Sequence, residues 1–321
     1  MANTYTSTDA SSLGTSLIQS AYDRLVRFQL RSTPLFRSIA DSGPVQPTNP
    51  GSSVTMQFYN DLSAVTTELD ELTDPDAVGV PSTSSVTITL KEYGNVVLKT
   101  HKLQLFAITD VDAGIANILA YNMRDSLDEI VSPTLRGGTN VIRVNNGAIN
   151  SNLISGGAGT TGGVKGTDTF RSAVPRLAVT KLRANKVIPR QGDLYCVFLH
   201  PDQSHDLRAE TGGASWRDPH NLQGADAIWT GNIGIYEGAY YVETPRIYSA
   251  TDGESTARVY RALAFGREAL AEAVAEEPHT VIGNVTDKLM RFRPIGWRGT
   301  IGWARFREAA LIRLETSSSV A

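Results

Sequence analysis

The stretch of sequence that decides the fold runs from GSSVTMQFYN at residues 51–60 to DVDAGIANILAYNMRDSLDEIV at residues 110–131. Apolar and polar residues alternate in 54–59 and again in 86–90, a pattern that predicts two β-strands. The connection between these strands is far longer than an ordinary turn, and it carries no residue set suited to catalysis. The pattern therefore predicts a long projecting hairpin that can reach over a neighbouring subunit.

A long helix is predicted after the hairpin. A third strand-like stretch at 96–105 leads into 110–131, where apolar residues recur at helical spacing. Thr109 or Asp110 is suited to cap the first turn, because a short polar side chain can accept a free backbone N–H there. Pro133 is expected to end the helix.

The chain before the hairpin is predicted to form an N-terminal arm. Apolar residues at helical spacing predict an amphipathic helix over 13–31. Residues 41–53 are rich in Gly, Pro, Asn and Ser, a composition typical of an extended linker. Both segments precede any plausible core.

The second half of the chain predicts an α/β lobe. Ser172 opens a helical pattern, 194–199 is a short apolar strand, and Pro201 stands at the favoured first position of a second helix. A strand followed directly by a helix is typical of α/β architecture. The remaining predicted elements are strands at 233–243 and 258–265, a short helix within 265–272, and alternating segments within 280–314.

Composition excludes several classes of protein. A chain of 321 residues exceeds the usual size of one compact core, so two lobes or a body with extensions are expected. The formal charge of −3 gives no global attraction for nucleic acid. The lone Cys196 permits no internal disulfide and predicts a buried small residue. No apolar run reaches the ~20 residues that span a bilayer, and the polar start is unlike a signal peptide, so synthesis in a cytoplasm is expected.

Two motifs that could indicate chemistry have simpler interpretations. Residues 157–162 (GAGTTG) match a dinucleotide-binding pattern, but no strand precedes them and no helix follows at once, which favours a surface loop. His200 and His205 are five residues apart and diverge around a helix, so metal binding is disfavoured and capping is expected. The sequence predicts no catalytic, metal or cofactor site.

Two oppositely charged sets of residues are candidates for an interface between subunits. The acidic tip of the hairpin consists of Glu68, Asp70, Glu71, Asp74 and Asp76. The arginine strip consists of Arg291, Arg293, Arg298, Arg305 and Arg307. Complementary charges of this kind would set register and specificity more than affinity. A solvated acidic loop, an exposed strand face and contact with DNA remain the alternatives.

Three motifs carry a resemblance to a known family: LAVTKLRANKVIPRQGDLYCVFLHPDQSHDL at 177–207, GNIGIYEG at 231–238 and GWRGTIGW at 296–303. Together with the order of elements, they resemble the major capsid proteins of tailed bacteriophages, whose fold is shared with herpesvirus shells. The subgroup is similar to that of podophage N-four and many actinophages. The resemblance covers nearly the whole chain.

The resemblance implies an α+β fold of four parts. These are an N-terminal arm at 1–50, an extended loop at 51–107, a peripheral domain with a long spine helix at 108–136 and 275–306, and an α/β axial domain at 137–274 and 307–321. It implies a non-enzymatic subunit without cofactors that self-assembles into hexamers and pentamers of an icosahedral head enclosing double-stranded DNA. The expected location is the virion, after synthesis in the host bacterial cytoplasm.

The implied partners are other copies of the chain, packaged DNA bound without sequence specificity, a portal, a possible decoration protein and a separate scaffolding protein. Some relatives begin with a scaffolding segment of roughly a hundred residues that is cleaved, whereas here the arm starts at once, so a separate scaffold is expected unless the sequence is that of the mature form. Two other classes remain open. A tail-tube or surface-adhesion protein would need continuous short strands, and an α/β hydrolase would need a nucleophile or metal near His200 and Asp206.

Overall fold

The computed structural model describes residues 31–42, 51–66, 68–72, 74, 77–106, 111–153, 159–211, 233–284, 289 and 291–320. The predicted helix at 13–31 lies outside this part of the chain except for its last residue. The helices are α1 (His101–Phe106), α2 (Val111–Arg136), α3 (Ala173–Ala184) and α4 (Pro201–Ala209). The strands are β1 (Ala40–Ser42), β2 (Ser53–Tyr59), β3 (Thr83–Thr89), β4 (Lys91–Thr100), β5 (Val141–Asn145), β6 (Ala148–Ser151), β7 (Tyr195–Leu199), β8 (Ile235–Tyr236), β9 (Ala239–Glu243), β10 (Ser249–Ala250), β11 (Val259–Phe265), β12 (Leu270–Ile282), β13 (Phe292–Arg305) and β14 (Leu311–Thr316).

An eight-stranded mixed sheet forms the larger part of the molecule, in the order β6-β5-β14-β11-β7-β9-β8 with β10 on β11. Its central strand β7 is apolar on both faces because both faces are covered. Val197 and Leu199 face one apolar cluster with α3 and α4, whereas Phe198 faces a second cluster with the end of α2. The predicted α/β lobe is thus confirmed, including the strand at 195–199 and the helix that begins at Pro201.

A second sheet of four strands, in the order β1-β12-β13-β4, packs one face against α2. Odd-numbered residues of β13 point toward the helix. The indole Nε1 of Trp297 donates a hydrogen bond to Asn122 Oδ1 on α2 at 2.9 Å, and Asn95 on β4 donates to the same oxygen at 3.1 Å. This shared acceptor fixes the helix over the sheet.

The predicted hairpin is present as β2 and β3, which pair in antiparallel register from Ser53 opposite Thr89 to Tyr59 opposite Thr83. Only its base is buried: Val54 and Ile88 pack on β12. The close approach requires Gly302 on β13, where an added Cβ would lie 2.8 Å from Ile88 Cγ2. The rest of the hairpin projects from the body.

Helix α2 continues through Pro133 to Arg136, so the predicted end before Pro133 is wrong. Proline inside a helix costs ~3 kcal/mol because it donates no N–H. The last turn still closes, since the Pro133 carbonyl accepts the Gly137 N–H at 3.0 Å. Val131 and Leu135, one turn apart, are both buried in the same apolar cluster. This packing outweighs the local preference of proline.

Two further boundaries differ from prediction. Residues 265–272, all of them described, form no helix: β12 begins at Leu270, because pairing with β13 overrides a weak helix propensity. The third strand-like stretch at 96–105 is divided between β4 and α1. The Thr100 hydroxyl accepts the Leu103 N–H at 3.1 Å and so caps α1 at its first turn.

The segment before β1 is held to the body by a buried carboxylate. Asp128 on α2 accepts the backbone N–H of Phe36 at 2.6 Å and that of Leu35 at 3.1 Å, and it pairs with Arg246 Nε at 2.7 Å. The carboxylate therefore caps the short 3₁₀ turn at Phe36–Ile39 and ties it to α2. Within the described residues, no helix has the length and apolar character needed to cross a membrane.

Asp128→Ala is expected to lower the free energy of unfolding by about 2–3 kcal/mol, because hydrogen bonds to a charged group each contribute about 1.5–3 kcal/mol. It should also speed tryptic cleavage after Arg37. Urea unfolding and timed proteolysis measure the two effects. Asp125→Ala is the matched control, since Asp125 lies one turn away and contacts only Arg246 in this cluster. Equal cleavage rates in the two variants would contradict this anchoring role.

Candidate assembly surfaces

No described residue of the same chain covers the tip of the hairpin between β2 and β3. Every described side chain from 60 to 80 is exposed, including large apolar ones. Leu72 is 94% exposed, and Leu62, Val65, Leu69, Val78 and Val80 are also largely exposed. Exposed apolar groups gathered on one projection indicate a surface that is buried against another molecule.

The acidic tip lies on the same projection. Glu68, Asp70, Glu71 and Asp74 are exposed, while Asp76 lies outside the described residues. Asp70 Oδ1 accepts the Leu72 N–H at 3.4 Å. Carboxylates thus alternate with exposed leucines, and a receptor for this tip must offer both cations and an apolar surface.

The five residues of the arginine strip fall into two groups that differ in their contacts. Arg298 pairs with Glu276 of its own chain at 3.2 Å, and the Arg305 Nε pairs with Glu308 at 2.9 Å. Arg307 pairs with Glu268 and stacks over the Phe58 ring at 5.3 Å, which places it at the base of the hairpin. These three arginines therefore already contribute to the body of their own subunit.

Arg291 and Arg293 lie apart from the other three, at the start of β13. Both are exposed, and Arg291 lies over the Phe292 ring at 5.3 Å. Among the ion pairs between described residues, none joins the strip to the acidic tip within one subunit. The docking of one on the other stays a prediction.

Arg293 borders a cleft of about 310 Å³ between α2 and the four-stranded sheet. Lys99 lines the same cleft. Its walls are otherwise mainly apolar, and Ile282 on one edge is 58% exposed. The remaining lining residues are Ile115, Ala116, Leu119, Thr280 and Ile295. The cleft thus combines an apolar floor with two cations.

The eight-stranded sheet contains a buried cluster of charged residues that the sequence patterns did not predict. Glu315 is fully buried, and its Oε2 accepts hydrogen bonds from Arg143 Nε at 2.5 Å and from Thr161 Oγ1 at 2.9 Å. Its Oε1 lies 2.6 Å from Arg313 Nε and 3.7 Å from Arg261 Nε. Burial alone would raise the pKa of Glu315, but the arginines outweigh it and hold the pKa below its usual value.

His200 and Asp202 form the start of α4. The His200 Nδ1 accepts the Asp202 N–H at 3.2 Å, and the Gln203 side chain accepts the His200 N–H, also at 3.2 Å. Burial lowers the pKa of His200, which keeps the ring neutral for this role. Asp202 accepts from the Tyr260 hydroxyl at 2.5 Å. No group of potential metal ligands occurs among the described residues, and the geometry matches the predicted capping.

Nearly the whole chain matches a known protein family, and its fold matches several solved structures. A family model described as phage capsid protein matches residues 19–319. The fold is similar to the capsid asymmetric unit of cyanophage Pam1, with a TM-score of 0.72, 13% identity and full coverage of both chains. It is also similar to the capsid of Ralstonia phage GP4, with a TM-score of 0.72 and 13% identity, covering 94% of this chain and 95% of that one. The acid-stable capsid of Helicobacter pylori bacteriophage KHP30 gives 0.71 at 14% identity, covering 99% and 100%. No curated protein sequence matches.

Proposed function

The chain belongs to the phage capsid protein family, and on this premise we propose that it is the major subunit of an icosahedral phage head. In this role it is a structural, non-enzymatic protein of the virion that forms hexamers and pentamers around double-stranded DNA. The observation that carries the proposal is the uncovered apolar hairpin tip, because a lattice of identical subunits is the setting in which each tip finds a neighbour.

The domains that the family resemblance implies each have a role in this proposal. The hairpin acts as the extended loop and α2 as the spine helix of the peripheral domain, whose sheet includes β12 and β13. The eight-stranded sheet acts as the axial domain around the symmetry axes. A separate scaffolding protein, a portal and a decoration protein remain the expected further partners.

The tip of one subunit docks, in this proposal, on the cleft beside Arg293 of the next. The cleft offers an apolar floor and the exposed cation Arg293 at its edge, which match the leucines and carboxylates of the tip. Arg298, Arg305 and Arg307 serve their own subunit, so the proposed receptor is narrower than the full arginine strip. Charge matching sets the register of the contact, and apolar burial supplies most of its free energy.

Negative-stain microscopy of the expressed full-length chain tests the proposal directly. Closed shells, or rings of five or six subunits, are the expected result. Straight tubes would instead favour the tail-tube alternative. A protein that stays monomeric at every concentration and ionic strength would contradict the proposal.

A further inference from the structure

The start of α4 holds the segment 316–319, which comprises the last residue of β14 and the three residues after it. Gln203 Nε2 donates a hydrogen bond to Thr316 Oγ1 at 2.9 Å, and both side chains are fully buried. The Ser318 hydroxyl donates to the backbone carbonyl of Asp202 at 3.0 Å. Because these contacts join residues 113 and 116 positions apart, the placement of the segment depends on the first turn of α4.

The same segment forms one wall of a polar cavity of about 450 Å³. Asp202 and Arg258 line the opposite wall, and Arg258 is exposed, so the cavity opens to solvent. One turn further along α4, the Asp206 carboxylate accepts the Ser319 N–H at 3.0 Å. The segment is therefore fixed by a few polar contacts beside a space into which it has room to move.

The His200 side chain makes the first turn of α4 dependent on a single proton. Its Nδ1 lies 3.2 Å from the backbone nitrogen of Asp202, whose N–H it accepts, and also 3.2 Å from the carboxylate oxygen Oδ2 of the same residue. A neutral ring accepts the N–H and caps the helix. A protonated ring carries a hydrogen on Nδ1, so it no longer accepts and donates to the carboxylate instead. The two contacts therefore exclude each other.

The groups around the His200 ring decide which contact it makes. Asp202 Oδ2 already accepts from the buried Tyr260 hydroxyl at 2.5 Å, and the Tyr260 and His200 rings lie 4.8 Å apart. Arg258 is the nearby cation and acts against a positive charge on His200. Burial raises the pKa of Tyr260 to about 12, so the phenol keeps its proton at neutral pH. His200 is thus the member of this cluster that changes charge near neutral pH.

We propose that His200 is a pH-sensitive latch, whose protonation opens the first turn of α4 and releases the segment 316–319 from the body. This inference stands apart from the proposed function, because the latch lies within one subunit. Burial lowers the pKa of His200 and Arg258 lowers it further, whereas Asp202 raises it, and the net change is downward. The folded protein therefore binds this proton less readily than the unfolded chain does. The closed latch is stable above the ordinary value of 6.5 and weakens as pH falls below it.

His205, on α4 itself, is the competing source of a pH effect. Its Nδ1 lies 3.5 Å from Asp206 Oδ1, and its side chain is 58% exposed. A proton on His205 would add a weak attraction to Asp206, the residue that holds Ser319. Protonation of His205 would thus strengthen the closed arrangement, which is the opposite of the effect proposed for His200.

Hydrogen–deuterium exchange of the full-length chain, read by mass spectrometry, tests the latch between about pH 7.5 and pH 5.5, after correction for the intrinsic effect of pH on exchange. Loss of a helix N-cap should lower the protection of 316–319 about fivefold at the lower pH. The buried strand β11 is the internal reference and should keep its protection at both pH values.

Three variants identify the group that titrates. His200→Asn and His200→Ser each keep a side chain that caps a helix and remove the titration, so both should keep 316–319 protected at the lower pH. Two substitutions are used so that a folding defect in one of them leaves the test intact. His205→Gln is the matched control, and it should keep the pH dependence of the wild type.

Equal protection of 316–319 at the two pH values in the wild type would overturn the inference. An undiminished pH effect in the His200 variants would overturn it as well, and loss of the effect in His205→Gln would assign the switch to His205. Loss of protection throughout the chain, including β11, would show global acid unfolding and reject a local latch.

Discussion

Glu315→Gln is expected to lower the free energy of unfolding by about 3–5 kcal/mol, the largest effect of any single substitution considered for this protein. The substitution keeps the shape of the side chain and removes its charge. Arg143 and Arg313 would then be left as buried cations without a carboxylate, and Arg261 would lose a near neighbour. Urea unfolding followed by circular dichroism at neutral pH measures the loss.

Glu277→Gln is the matched control for this experiment. Glu277 also pairs with an arginine, Arg37 at 2.9 Å, but it is 64% exposed. Exposed ion pairs contribute about 0–1 kcal/mol, so the control should change stability little. A cost of Glu315→Gln no larger than that of the control would show that the buried cluster does not hold the sheet together.

The same cluster predicts a direction for the effect of pH. The pKa of Glu315 is lower in the folded state than its ordinary value of 4.5, so the folded protein binds its proton less readily than the unfolded chain does. The stabilising contribution is therefore fully present above about pH 4.5 and is lost as pH falls through the folded pKa. The stability difference between wild type and Glu315→Gln should shrink from pH 7 toward pH 3. A difference independent of pH would contradict this linkage.

Removal of the hairpin tip is expected to abolish shells while leaving a folded, soluble body. Replacing 60–82 removes side chains that, among the described residues, are all exposed except the half-buried Pro81, so the core keeps its contacts. Because Tyr59 and Thr83 are directly paired, an Asn-Gly turn in place of 60–82 closes the hairpin as a two-residue loop. Circular dichroism checks folding, and negative-stain microscopy checks assembly.

Two point variants separate the contributions to this contact. Leu69→Ser with Leu72→Ser removes apolar burial and should prevent assembly at all salt concentrations. Glu68→Gln with Glu71→Gln removes charge alone and should change the salt dependence and the regularity of the particles. Particles of normal size and number from the deletion variant would mean that the tip is not the clamp between subunits.

The elements that were predicted correctly are those whose signals lie within a few neighbouring residues. Alternation of apolar residues predicted β2 and β3, and a strand followed by Pro201 predicted the start of α4, because these signals act within a few residues. The end of α2 at Pro133 and the strand at Leu270 were mispredicted for one shared reason. In both places, contacts with residues far along the chain outweigh the local preference.

The pairing of the charged residues could not be predicted from the sequence alone. Arg313 and Glu315 are two apart on β14, a spacing that places them on one face of a strand, and this was the only local signal of the buried cluster. Their partner Arg143 lies 172 residues away, and it meets Glu315 only through the register of β5 and β14. The amino-acid composition gives the number of such charges, but it does not show which of them form ion pairs.

The sequence by itself determined the projecting hairpin, its acidic tip and the strand–helix step at Pro201, since periodicity and turn residues encode these features locally. The tertiary structure alone decided which cations are available for partners. It assigned Arg298, Arg305 and Arg307 to their own subunit and left Arg293 exposed beside an apolar cleft. The reason is physical: whether a charge is free depends on which acids the folded chain brings within a few ångströms of it.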